Sequence, residues 1–251
     1  MSNENNTEKY FQSRLLIEDH HFWFIARADR IHTILKMNLR PGDVYLEIGC
    51  GSGGILKSTS AQFITSSVIG SELNYNVLKM NNNKENVPLI QLDACMMSFN
   101  ESIDFIGIYD VLEHIQNDFT VLQEIYKILK PGGKVLITVP QHQWLWSQFD
   151  LVAGHHRRYN GSELCKQIQN AGLIVEQCEG FNYTLIVPLL ISRFIRQIRK
   201  PNDSFDYFQD ELHISMLTNK IGNFLMFVER VLSKLNFKTQ VGSSLLIMAR
   251  K

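Results

Sequence analysis

The stretch Val44-Tyr45-Leu46-Glu47-Ile48-Gly49-Cys50-Gly51-Ser52-Gly53-Gly54 decides the fold. Its first five residues read as a short buried strand. The glycines that follow let the backbone turn sharply and approach a ligand with no Cβ in the way, and a helix is expected from about Ile55. Gly49, Gly51 and Gly54 also satisfy the G-x-G-x-x-G dinucleotide pattern, so the turn alone fits more than one cofactor.

Downstream the rhythm repeats. Ser67 to Gly70, Leu89 to Leu92 and Ile103 to Tyr109 read as strands, with a helix over Asn76 to Asn81. A helix from Asp118 to Leu129 stops at Lys130-Pro131-Gly132-Gly133, and Lys134 to Pro140 is a further strand. Such alternation implies an α/β fold, a doubly wound parallel sheet with helices on both faces. Leu173 to Cys178 and Ser244 to Ala249 are two late strands, which makes seven in all.

Upstream, Tyr10 to Met37 carries apolar residues at helical intervals and forms one or two helices. The whole of 1–251 is expected to be one domain: a helical cap over 1–40, a core over 41–180 and 241–251, and a helical insertion over 181–240. Within the insertion, Leu185 to Lys200 and Met216 to Leu235 read as helices, and polar, aromatic Pro201 to Asp210 is the candidate mobile loop.

Of the 251 residues, 45% are hydrophobic and 20% charged, enough for a substantial core. Lysine plus arginine and aspartate plus glutamate are equal at 25 each, so no global field favours nucleic acid. The four cysteines lack C-x-x-C spacing and stand at no metal-ligand spacing from a histidine, so no metal site is expected. That scatter, and a polar start without an apolar h-region, predict a reduced, cytoplasmic setting.

Acidic residues close three strands. Glu72, after Val68-Ile69-Gly70-Ser71, can accept from both hydroxyls of a ribose, and Asp93, after the third strand, can accept from an adenine amino group. Glu47 stands before the first glycine, where a carboxylate suits an ammonium and sits poorly beside a pyrophosphate.

With these residues in order, the chain resembles the class I S-adenosylmethionine (SAM)-dependent methyltransferases. Their E/D-x-G-x-G-x-G motif matches Glu47 to Gly53, and their second- and third-strand acids match Glu72 and Asp93. Their fourth-strand stretch resembles Tyr109-Asp110-Val111-Leu112-Glu113-His114-Ile115, and their fifth-strand approach resembles Leu129 to Leu136. The resemblance implies a Rossmann-like seven-stranded sheet, mostly parallel with an antiparallel terminal strand. It implies SAM as cofactor and S-adenosylhomocysteine (SAH) as product. Glu47 and Gly49 would border the methionine moiety, with Gly51 and Gly53 also in the cofactor-binding turn, Glu72 the ribose, Asp93 and Ala94 the adenine, and Asp110 and Val111 the sulfonium.

Methyl transfer is an in-line displacement, so the acceptor must be aligned and a hydroxyl acceptor must lose a proton, a task that suits histidine. His114, directly after the fourth strand, and His155, in Gly154-His155-His156-Arg157-Arg158-Tyr159, are the candidate catalytic residues. The second stretch, with Trp144 and with His21, Trp23 and Arg27 of the amino-terminal region, resembles a bacterial small-molecule methyltransferase subgroup associated with glycan, lipid and secondary-metabolite pathways. In that pattern the first histidine recurs, which favours His155 over His156. Arg157 and Arg158 suit a phosphate or carboxylate on the acceptor, and Tyr159 completes the substrate-binding set. A purely structural histidine-arginine network is the competing use.

The helix over 185–200 joins an apolar body to Arg193, Arg196, Arg199 and Lys200, as in a segment lying at an anionic inner-membrane surface; packing over the sheet is the alternative. A small-molecule acceptor with a hydrophobic part follows as the expectation. Two other functions stay open on sequence alone: a nicotinamide-dependent oxidoreductase, and a non-catalytic SAM-binding or membrane-docking subunit.

Overall fold

Seven strands lie in the order β3-β2-β1-β4-β5-β7-β6 in a computed structural model that describes residues 11–64, 66–81, 87–199, 214–235 and 239–251. The strands are β1 (Val44–Ile48), β2 (Ser67–Glu72), β3 (Leu89–Gln91), β4 (Ile103–Tyr109), β5 (Leu129–Pro140), β6 (Ile174–Phe181) and β7 (Ser244–Arg250). β1 to β5 pair in parallel, and β7 runs antiparallel between β5 and β6. The sheet is therefore mixed, with one reversed strand near its end, as expected.

Helices cover both faces because both faces of the central strands are apolar. One face packs Ile106, Ile108, Ile137 and Ile247 under Val121, Leu122 and Ile125 of α5 (Asp118–Ile128) and Leu164 and Ile168 of α7 (Gly161–Asn170). The other buries Tyr45, Phe105 and Leu246 under Ile31, Ile34 and Leu35 of α2 (Phe22–Asn38) and Ile55 and Leu56 of α3 (Gly54–Gln62). Ahead of α2 a first helix, α1, covers residues 11–17. Short helices α4 (Tyr75–Met80) and α6 (Gln148–Val152) fill the connections.

The chain steps outward from β1 to β3 and then returns to β4 on the other side of β1. The reversal puts a crevice beyond the carboxyl ends of β1 and β4, where Gly49 and Asp110 stand.

One expectation needs correction. Lys130-Pro131-Gly132-Gly133 does not separate α5 from a strand that begins at Lys134; β5 already starts at Leu129, which pairs with Ile103. The register slips between Ile103 and Phe105, so the Pro-Gly-Gly residues form an irregularity inside the strand, with Gly132 at φ +79. Cross-strand pairing outweighed the local turn signal.

In the insertion, α8 (Ile186–Arg199) and α9 (Met216–Lys234) match the expected helices. Pro201 to Asp210 lies outside the described residues, as do the side chains of 195–199. α9 packs on α2: Asn219 Oδ1 accepts from Phe22 N at 2.9 Å, and Gly222 leaves room for the Phe22 ring. Among the described residues no helix is long and apolar enough to cross a membrane.

Candidate active site

Three successive left-handed glycines shape the turn after β1: Gly49 (φ +69), Gly51 (φ +53) and Gly53 (φ +79). A side chain at Gly49 would also collide with Val111, whose Cγ2 lies 2.5 Å from where a Cβ would stand. The turn is closed by Gly53 N on Cys50 O at 2.9 Å and tied to β2 by Cys50 N on Ser71 O at 2.8 Å. Its backbone thus forms a fixed cradle without Cβ atoms at its three glycines, which fits a ligand that must come close to main-chain atoms.

The three strand-end acids border this cradle. Glu72 accepts from Gly51 N through Oε2 (3.1 Å) and from Asn74 N through Oε1 (3.0 Å), so both oxygens are oriented and each keeps a lone pair for a ribose hydroxyl. Asp93 is exposed beyond β3, with Oδ1 accepting from Cys95 N at 2.8 Å, and Ala94 beside it is buried. Glu47 is buried, with Tyr45 Oη at 3.4 Å as its hydrogen-bond donor. Burial pushes its pKa up to about 8, against the pull of Arg27 and Arg14. Such a carboxylate awaits a cation, and an amino-acid ammonium is one that fits.

A raised carboxyl pKa makes apo stability pH-dependent in a defined direction. The contribution is fully present below 4.5, the ordinary value, and is lost as pH rises through about 8. Urea unfolding at pH 5, 7 and 9 should therefore show the wild type losing ground to Glu47→Gln as pH rises, at no more than roughly 1.4 kcal/mol per pH unit. Parallel pH curves for the two proteins would contradict the raised value.

The amino-terminal helices close over the cradle. The Phe11 ring lies against Gly51, Ser52 Oγ donates to Glu18 Oε2 at 2.8 Å, and Arg14 Nε reaches the same carboxylate at 3.3 Å. From α2, Arg27 is buried between Trp23 and Phe24, 4.9 and 5.9 Å from their ring centres, and pairs with Asp110. Asp110 itself holds a left-handed conformation (φ +55), maintained by its N–H on Thr138 O at 2.8 Å and Thr138 Oγ1 on Oδ1 at 3.3 Å. Strain at such a position is sustained only by its surroundings. His21 caps α2 by accepting from Trp23 N at 3.2 Å and stacks on Phe22.

Beyond β5 the loop over 153–159 folds back onto the 3-10 turn Leu112–His114: His156 N donates to Glu113 O at 2.7 Å. The node of this loop is Asp150, which is buried and placed by a capping box with Ser147. Its carboxylate accepts from His155 Nδ1 (2.9 Å), Arg158 Nε (2.8 Å) and Ser147 N (2.7 Å). Burial raises its pKa, but these donors prevail and hold it at about 2. Arg157 Nη1 meets Asp118 at 2.9 Å, and Tyr159 Oη donates to the same carboxylate at 2.8 Å. The polar ends of Arg157, Arg158 and Tyr159 are thus engaged by carboxylates of the chain itself. Trp144 is 56% exposed and stacks on His142.

His114 stands edge-on to His155, 4.7 Å between ring centres. His114 keeps surface exposed to solvent, yet desolvation by the atoms packed around it and then the neighbouring His155 lower its pKa to about 4. The carboxyl ends of the strands thus carry the acceptors Glu47, Glu72 and Asp93, and the turn after β4 carries Asp110 and Val111 and then His114, beside His155.

The methyltransferase domain family matches residues 20–177, a range that contains every site residue expected from sequence. The chain belongs to this methyltransferase family. It is 32% identical over 143 residues to the demethylmenaquinone methyltransferase of Oceanobacillus iheyensis, covering 53% of this chain and 58% of that one. It is 34% identical over 109 residues to phosphoethanolamine N-methyltransferase 2 of Caenorhabditis elegans, covering 41% and 25%. The chain spans little more than half the length of the first of these relatives. A solved structure, Haemonchus contortus phosphoethanolamine N-methyltransferase 2 in complex with S-adenosyl-L-methionine, superposes with a TM-score of 0.58 at 20% identity, over 89% of this chain and 52% of that one, a likeness of fold.

Membership of the methyltransferase family sets aside the nicotinamide reading that the glycine spacing left open. Asp150, Glu113, Asp118 and Phe11 are site residues beyond those expected from the sequence. For Asp150 a signal existed: Ser147-x-x-Asp150 is a capping-box spacing. For Asp118 and Phe11 none did, because their partners are distant in the chain.

Proposed function

We propose that this chain transfers the methyl group of SAM to a small-molecule acceptor that carries a hydrophobic part. The observation that carries the reading is the cradle itself: three left-handed glycines, the first of them against Val111, with Glu47 buried before the turn and Glu72 oriented by Gly51 and Asn74 beside it. In this assignment Glu47 receives the ammonium, Glu72 the ribose, Asp93 and Ala94 the adenine, and Asp110 and Val111 line the sulfonium. His155, steadied by Asp150, and His114 beside it help the acceptor to shed its proton. Arg157, Arg158 and Tyr159 hold the loop that presents His155, and His21, Trp23 and Arg27 wall the acceptor from the cap side.

Family relatives that act on demethylmenaquinone and phosphoethanolamine support a small-molecule acceptor. The hydrophobic part is supported by the exposed apolar residues of the insertion, Val187, Ile191 and Phe194 on α8 and Leu217, Ile221 and Phe224 on α9. These exposed side chains, together with the basic residues that the sequence carries over 185–200, suit contact with an anionic bilayer, where the chain would meet such an acceptor.

The test is transfer from methyl-labelled SAM into a bacterial metabolite extract, with and without anionic vesicles. Label is expected in the organic-soluble fraction, and the chain is expected to pellet with vesicles. Label confined to the aqueous fraction, from a chain that stays in the supernatant, would overturn the hydrophobic assignment. No transfer at all, with SAH bound, would instead make the chain a SAM-binding subunit.

A further inference from the structure

Glu113 has no assigned task, yet it is the least comfortable group near the crevice. It is fully buried, and neither carboxylate oxygen has a hydrogen-bond partner. Arg27 and Arg158 act on it only through space and Asp110 opposes them, and a buried carboxylate with no donor on its oxygens costs several kcal/mol. A proton would neutralise the charge but leave that hydroxyl without an acceptor.

The groups around it answer the need. One donor atom each from Glu113, His114 and His155 lie within 4.8 Å of one another. Tetrahedral ligands at about 2.0–2.2 Å from one ion stand roughly 3.3–3.6 Å apart, so the three side chains would draw together by up to about 1.5 Å to close the set. We propose that Glu113, His114 and His155 bind a divalent first-row transition metal ion, and that this ion holds the acceptor oxygen beside the cofactor.

Three features support the assignment. The Nδ1 of His155 is occupied by Asp150, itself clamped by Arg158 and Ser147, which leaves Nε2 for an ion in the carboxylate–histidine–metal arrangement common at such centres. The ligands grade from buried Glu113 to exposed His114, so the ion would keep an open coordination position toward the crevice. Glu113 and His114 follow Val111 by two and three residues, and Val111 lies on the Gly49 cradle. One carboxylate with two imidazoles suits zinc, manganese or iron(II) rather than magnesium or calcium.

This inference rests on the methyltransferase reading and deepens it by naming a hydroxyl acceptor. The ion draws the acceptor hydroxyl in and lowers its pKa, and the proton leaves to water. The oxygen pair then forms the O–CH3 bond as the C–S bond breaks, its pair returning to sulfur to leave neutral SAH. The ion keeps its oxidation state throughout.

The full chain, stripped with EDTA and desalted, is titrated with Co2+ and, separately, with SAH. One cobalt per chain with visible d–d bands is expected, displaced by Zn2+. Glu113→Gln should melt no lower than the wild type, since it removes a buried charge, and should show no bands. His114→Gln, at the exposed ligand, should lose them without risk to the fold. Asp150→Asn should keep the bands with affinity lowered about 10–100-fold. Absence of bands in the wild type, or unchanged bands in Glu113→Gln and His114→Gln, overturns the metal site. SAH bound without cobalt removes only this inference, whereas cobalt bound without SAH removes the methyltransferase reading.

Discussion

Gly49→Val is expected to abolish SAH binding in a protein that still folds. Residue 49 sits at φ +69, a conformation that costs an L-residue about 1–2 kcal/mol and a β-branched one more. The new Cβ would also meet Val111 Cγ2 at 2.5 Å, so Val111 must move and the cradle must deform where the methionine moiety of SAM would lie. Gly132→Ala is the matched control: its φ is +79, but nothing lies within 4 Å of the added Cβ, and it is remote from the crevice. In thermal melts, saturating SAH should raise the midpoint of the wild type and of Gly132→Ala and leave Gly49→Val unmoved. An undiminished shift in Gly49→Val would mean that the turn does not hold the cofactor.

His155→Ala should lower kcat by about 10²–10⁴-fold while SAH affinity stays nearly constant. The asymmetry follows from placement. His155 belongs to the loop beyond β5, where it meets Asp150 and His114, and it touches none of Glu47, Gly49, Glu72 or Asp93 in the described contacts. Calorimetry with SAH and turnover with labelled SAM separate the two quantities. Turnover at the wild-type level would make His155 a purely structural member of the Asp150 network.

The sheet was legible in the sequence because its strands are short apolar runs closed by glycines and acids, signals carried within a few residues. Ile103 to Tyr109 emerged with its boundaries unchanged for that reason. The cradle was legible too, since Glu47, Gly49, Gly51 and Gly53 are neighbours in the chain. The start of β5 was not: Lys130-Pro131-Gly132-Gly133 is a strong turn signal, and only the pairing of Leu129 with Ile103 reveals a strand there. Arg27 was expected at the acceptor, but its partner Asp110 lies 83 residues away, a distance no local pattern spans. For the same reason the spacing rules that predicted no metal site could not join Glu113 and His114 to His155 across some 40 residues and two loops. Arg157 and Arg158 carried a signal of charge and planarity, which structure converts into support for Asp118 and Asp150.

The central claim is that the turn after β1 seats SAM, and a crystal structure of the full chain grown with SAH tests it most directly. The expected electron density places the ammonium at Glu47, both ribose hydroxyls on Glu72, the adenine between Asp93 and Ala94, and the vacated methyl position facing His114 and His155 past Val111. SAH bound elsewhere, or with its ribose away from Glu72, would contradict the account.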